Sequence, residues 1–81
     1  IMQERYIKLN SVEDIKTFVR AAENCPFDID VNYNRVYIDG KSFLGLMGMD
    51  LNQTLRVQFS GNDATFEAML EGFAAGKNSA A

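Results

Sequence analysis

Apolar and polar positions change period several times along the chain, and those changes divide it into elements. Tyr6 to Leu9 alternates and predicts a first strand, which Asn10-Ser11 interrupts. From Val12 the spacing turns helical, with Val12, Ile15, Phe18, Val19 and Ala22 on one face. Ser11 followed by Asp14 resembles a capping box, with Glu13 and Asp14 suited to the positive helix end. Pro26 stops this helix, because the residue before a proline is pushed out of the helical region.

Asp28 to Tyr33 is a strict polar/apolar alternation, Asn34-Arg35 turns the chain, and Val36-Tyr37-Ile38 returns it as a hairpin. Asp39-Gly40 ends that hairpin. Ser42 is placed to cap a short helix carrying Phe43, Leu44, Leu46, Met47 and Met49. Leu55 to Phe59 alternates as a fourth strand. Beyond Ser60-Gly61-Asn62, the positions of Phe66, Met69, Leu70, Phe73 and Ala74 predict a last amphipathic helix. The order β-α-β-β-α-β-α, with one apolar face per strand and one stripe per helix, predicts an α+β open-faced β-sandwich. Its four-stranded antiparallel sheet would carry three helices on one face.

Composition narrows the function more than the fold. At 81 residues there is room for one domain, expected over 1–75, with 76–81 as a frayed tail. Ile1-Met2 reads as a trimmed or vector-derived start. The net charge is −3, and the eight basic residues are spread along the chain rather than clustered, which argues against nucleic-acid binding. No apolar run approaches the length of a membrane span, and no signal-peptide pattern is present. Cys25 is the one cysteine and there is no histidine, so no intrachain disulfide or protein zinc site can form. Cys25 reads as a small residue closing a helix before Pro26, and a reducing cytoplasm fits.

A family resemblance rests on Val36-Tyr37-Ile38-Asp39-Gly40-Lys41-Ser42-Phe43-Leu44-Gly45-Leu46-Met47-Gly48-Met49, which contains a Lys-Ser-apolar-apolar-Gly-apolar-Met run. This segment resembles the signature around the regulatory serine of the histidine-containing phosphocarrier family, HPr. Leu55 to Gly61 is similar to that family's last strand and turn, and Phe18 to Ala22, more loosely, to the end of its first helix. The family's β-α-β-β-α-β-α order agrees with the one read from periodicity.

The departure from the family is equally specific. HPr proteins carry Gly-Leu-His-x-Arg-Pro-Ala where the first strand meets the first helix, and the histidine takes the phosphoryl group. In register with Phe18-Val19, Ser11 falls at the histidine, Glu13 at the arginine and Asp14 at the proline. These three residues form a degenerate phosphocarrier site. Helix amides that would cradle a phosphate are open to capping by Ser11 and Asp14. Glu13 and Asp14 would each repel a phosphoryl group by about 1 kcal/mol at contact distance in water. Ser11 as a substitute acceptor has no base beside it.

The resemblance implies regulatory phosphorylation at Ser42 by a serine kinase. Chemically, a phosphate there would be tolerated at a helix N-terminus, while the plainer reading of Ser42 is an N-cap. It also implies a partner-binding surface at Phe43, Leu44 and Met47, with Leu46, Met49 and Leu51 facing the sheet. The alternative is a broad core stripe. Asp28 and Asp30 share one side of a strand and are explained as its solvated face. Gly45 and Gly48 read as sites of close helix packing. Together these readings point to a non-enzymatic domain without metal or cofactor. Its expected partners are proteins, such as a regulatory serine kinase or a transcriptional regulator, with no nucleic acid and no membrane. Catabolite-repression HPr-like proteins, which lack the histidine but keep the serine, follow a similar logic. A diverged binding module without phosphorylation is the first alternative, and phosphotransfer on a non-histidine acceptor the second.

Overall fold

Four strands and three helices follow in the order β1 (Met2–Ile7), α1 (Val12–Glu23), β2 (Ile29–Tyr33), β3 (Val36–Asp39), α2 (Phe43–Met47), β4 (Leu55–Ser60) and α3 (Ala64–Gly72). These come from a computed structural model that describes residues 1–76; residues 77–81 of the expected tail lie outside the described residues. The strands form one antiparallel sheet in the order β1-β4-β2-β3, and the chain is an α+β open-faced sandwich as its periodicity predicts.

β4 is central. Leu55, Val57 and Phe59 alternate into the core, where they meet Ile29 and Val31 of β2 and Ile7 of β1. Ile15, Phe18, Val19 and Ala22 of α1 and Phe66 and Leu70 of α3 close over them. Phe66 is the aromatic hinge of this layer: its ring lies edge-on to Phe59 at 5.2 Å and to Phe18 at 5.9 Å. Such pairs add about 0.5–1.5 kcal/mol each beyond burial.

Several boundaries differ from the expected ones. The first strand lies at Met2–Ile7 rather than Tyr6 to Leu9, although Leu9 is buried beyond its end. Its core-side positions near the sheet edge are Gln3 and Arg5, so its alternation is hidden. The Arg5 guanidinium covers the Phe59 ring at 5.8 Å and reaches Glu67 at 3.5 Å. Val12, expected on the buried stripe, occupies the first turn of α1 and is exposed. α2 ends at Met47 rather than running to Met49, with Gly48 as its C-cap: Gly48 N donates to Gly45 O and Met49 N to Leu46 O. α3 ends at Gly72. Ala74 leaves the helix and bridges Ile7, while Lys8 N donates to Phe73 O (2.9 Å) and Ala75 N to Tyr6 O (2.8 Å). This closing segment covers part of the outer edge of β1.

Candidate functional site

Both N-terminal caps named from the sequence are formed. The Ser11 hydroxyl accepts from Asp14 N at 3.1 Å, and the Asp14 carboxylate accepts from Asn10 N at 2.8 Å, one residue further back than in a standard capping box. Glu13 pairs loosely with Lys16 at 3.4 Å on the surface. The start of α1 is therefore self-capped and flanked by two carboxylates, an arrangement hostile to a bound phosphate.

The Ser42 hydroxyl accepts from Gly45 N at 3.1 Å, and Ser42 N donates to Asp39 O at 2.9 Å. Ser42 is half-buried. With only five residues, α2 contributes little summed dipole. The local pull on an anion at Ser42 would come from first-turn amides and nearby cations. Lys41 is adjacent, and its ammonium donates to the Cys25 carbonyl at 2.8 Å.

The residues of α2 divide as a one-turn helix must. Leu46 and, just beyond the helix, Met49 are buried, and Leu51 is half-buried. Phe43 packs partly against the core, while Leu44 is 83% exposed and Met47 42% exposed. Gly45 makes this close seating possible. A Cβ there would stand 2.7 Å from Ile38 Cγ2 and 3.0 Å from the Ser42 hydroxyl. Gly48 does not share that role: the nearest atom to its added Cβ would be 3.5 Å away, so it serves as a cap and not as a packing site.

Beside this face, Lys16, Val19, Arg20 and Glu23 of α1 and Phe43 of α2 line a shallow groove of about 230 Å³. The groove sets Lys16 and Arg20, one helical turn apart on α1, together with the Glu23 carboxylate against Phe43, and α2 also carries the exposed Leu44 and Met47. The sequence reading assigned no role to Lys16 and Arg20, although their four-residue spacing signals a shared face.

The other candidates do not build a site. Asp28 and Asp30 line an open depression with Met2, Gln58, Phe59 and Ser60. Among the described residues no three His, Cys, Asp or Glu side chains are grouped to hold a metal. Cys25 is buried, its thiol donating to Ala21 O at 3.6 Å. Burial pushes that thiol upward, Asp63 adds to the shift and Lys41 opposes it.

The open face of the sheet carries a polar circuit that the sequence reading missed. Asn32, only 1% exposed, donates from Nδ2 to Gln58 Oε1 at 3.0 Å and accepts at Oδ1 from Arg56 Nε at 2.9 Å. Gln58 Nε2 donates to Glu4 Oε2 at 3.1 Å, and the same carboxylate oxygen lies 3.8 Å from Arg56 Nη1. The four side chains close a ring across β1, β4 and β2. Among the described residues no helix is long and apolar enough to cross a membrane.

No protein-family model matches the chain, and no curated protein matches it significantly. Nine chains of solved structures do. One is a phosphocarrier protein HPr from Bacillus anthracis str. Ames, 22% identical over 90% of this chain and 93% of that one, with a TM-score of 0.63. The likeness establishes the HPr-like fold.

Proposed function

We propose that the chain is a non-catalytic, HPr-like regulatory or adaptor domain of a bacterial cytoplasm. It binds a protein partner through α2 and the neighbouring face of α1 and is controlled by phosphorylation of Ser42. The observation that carries this reading is the exposure of Leu44 and Met47 on α2, the helix whose Phe43 lines a groove with Lys16 and Arg20 of α1. A solvent-facing leucine and methionine on one short helix form an adaptable apolar contact, and the mixed charges of Lys16, Arg20 and Glu23 beside α2 suit a polar border on the partner. Histidine phosphotransfer is excluded for this chain because it has no imidazole.

At Ser42, a phosphate would replace a hydroxyl that now accepts from Gly45 N. It would add about −1.5 to −2 charges beside Leu44 and close to Lys41. Its effect would fall on the docking face and leave the core untouched. A transcriptional regulator and a serine kinase are the partner classes that this chemistry suits.

A second reading is favoured by the cap itself: Ser42 already satisfies Gly45 N, so it has a structural role without modification. The domain would then bind its partner independently of phosphate.

Intact-mass measurement distinguishes the two. The protein is incubated with a regulatory serine kinase and ATP, and separately with the phosphotransferase enzyme and phosphoenolpyruvate. One phosphate from the kinase, absent in Ser42→Ala, with none from phosphoenolpyruvate, supports control at Ser42. No change in either reaction removes Ser42 as a switch. Label from phosphoenolpyruvate would overturn the non-catalytic reading.

A further inference from the structure

The two edges of the sheet are finished differently. The outer edge of β1 is partly covered by residues 73–75, whereas β3 lies at the opposite margin with no strand beyond it among the described residues. We infer that β3 is a self-association edge, pairing antiparallel with β3 of a second copy of this chain about a two-fold axis at Tyr37.

The hydrogen-bond phase of the hairpin supplies the first argument. Gly40 N donates to Ile29 O at 2.7 Å, and antiparallel pairs alternate between bonded and non-bonded. With Val31 opposite Ile38 and Tyr33 opposite Val36, those two residues of β3 turn their backbone groups inward to β2. The backbone N–H and C=O of Tyr37 and Asp39 therefore face outward. Along this edge the Asp39 carbonyl already accepts from Ser42 N. The Tyr37 groups and the Asp39 N–H remain for a partner. A two-fold at Tyr37 sets Tyr37 against Tyr37 of the second copy, and Arg35 against Asp39. The outward groups thus meet outward groups, as an edge-to-edge ladder requires.

Side-chain order supplies the second argument. Arg35-Val36-Tyr37-Ile38-Asp39 reads basic, apolar, aromatic, apolar, acidic, so its reverse is its chemical complement. Arg35 of each copy would face Asp39 of the other on the open side of the sheet. Val36, 37% exposed, would face Ile38 on the helix side, and Tyr37, 59% exposed, would meet its own copy at the axis. Arg35 takes part in no ion pair among the described residues, and one oxygen of Asp39 is engaged by Lys41 N, leaving the other. Opposite charges and aromatic pairs directly across a ladder stabilise it, and like charges destabilise it. A shift by one residue turns inward-facing backbone groups to the seam, and a shift by two breaks the Arg35–Asp39 pairing, so backbone phase and side-chain order together select this register. The inference is independent of any role of Ser42.

The test is sedimentation velocity with concentration-dependent amide exchange. It runs from about 10 μM to about 1 mM, the range that populates a small, weak interface. The expected result is a rise in average mass from 9.1 kDa towards twice that value, with the Tyr37 and Asp39 amides gaining protection as concentration rises. The Ile38 amide should stay protected throughout. Arg35→Asp and Asp39→Arg should each weaken self-association about 10-fold or more, since each sets like charges face to face. An equimolar mixture of the two should associate, because both cross-strand pairs are then opposite in sign. A monomer mass at every concentration overturns the inference. So does association that leaves the Tyr37 and Asp39 amides unprotected, or a folded pair of variants that fails to associate when mixed. If Asp39→Arg does not fold, the amide pattern of the unaltered protein decides alone.

Discussion

The Lys41 ammonium donates to the carbonyl oxygen of Cys25 at 2.8 Å. The acceptor lies just past the C-terminus of α1, where backbone carbonyls lack helical donors, and the donor immediately precedes Ser42. One charged hydrogen bond therefore fastens the end of α1 to the entry of α2 and fixes the cap serine relative to the α1–α2 groove.

Lys41→Met keeps the aliphatic stem and removes this bond. Charge-assisted bonds contribute about 1.5–3 kcal/mol, and partial exposure lowers that to about 1 kcal/mol. Urea unfolding should show a loss of this size. Amide exchange at Ser42 and Gly45 should quicken more than exchange in the core strands.

Leu44→Asp should separate binding from folding. The side chain is mostly exposed, so unfolding free energy should change by no more than about 0.5 kcal/mol. Recovery of a protein partner on the immobilised domain should nevertheless fall about tenfold or more, the equivalent of 1.4 kcal/mol. Unchanged recovery would place the docking face elsewhere.

Asn32→Ala opens the polar ring on the sheet and strands a half-buried Gln58 amide and the Arg56 guanidinium. The expected cost is about 1–3 kcal/mol. A double-mutant cycle with Arg56→Ala should return a coupling of about 0.5–3 kcal/mol, as for residues sharing one network. Additive losses would mean that the ring is not cooperative.

Gly45→Ala and Gly48→Ala, three positions apart on the same short element, should act in opposite directions. At Gly45 the new methyl group meets Ile38 and the cap hydroxyl, so either α2 lifts or the core yields, at about 1–3 kcal/mol. At Gly48 the backbone is in the right-handed region with no close neighbour, so alanine should stabilise by about 0.4–1 kcal/mol through the unfolded chain. Thermal unfolding of the two variants gives both signs directly.

Where burial alone sets the pattern, the fold was readable from the chain. β2 and β4 alternate because one face is packed and the other wet, and α1 repeats because a single stripe meets the sheet. β1 was misplaced because polar side chains occupy core-side positions near its open end. There Gln3 donates to the Gly61 carbonyl and Arg5 lies over Phe59, contacts that no local pattern encodes. The cap of α3 was missed for a similar reason. Asp63 accepts from Phe66 N at 2.8 Å while Glu67 accepts from Asp63 N at 3.0 Å, but Ser60, Asn62 and Asp63 are all plausible caps by residue type. The polar ring was illegible because it depends on register between strands far apart in sequence. The split of α2 into buried and exposed positions was deducible from its length, whereas the charged groove needed the packing of α1 beside it.

The placement of β4 between β1 and β2 has a consequence for how the chain is made. Met2 pairs with Ser60 and Ile7 with Leu55, so the first of the four strands to be synthesised takes a partner that emerges only after α1, β2, β3 and α2 have followed. The β2–β3 hairpin can close locally as soon as it appears, but the sheet stays in two pieces until β4 arrives to join them. Non-local pairing of this kind slows folding. It leaves β1 waiting through translation with its apolar side chains uncovered, and closure of the sheet becomes a late, all-or-none event.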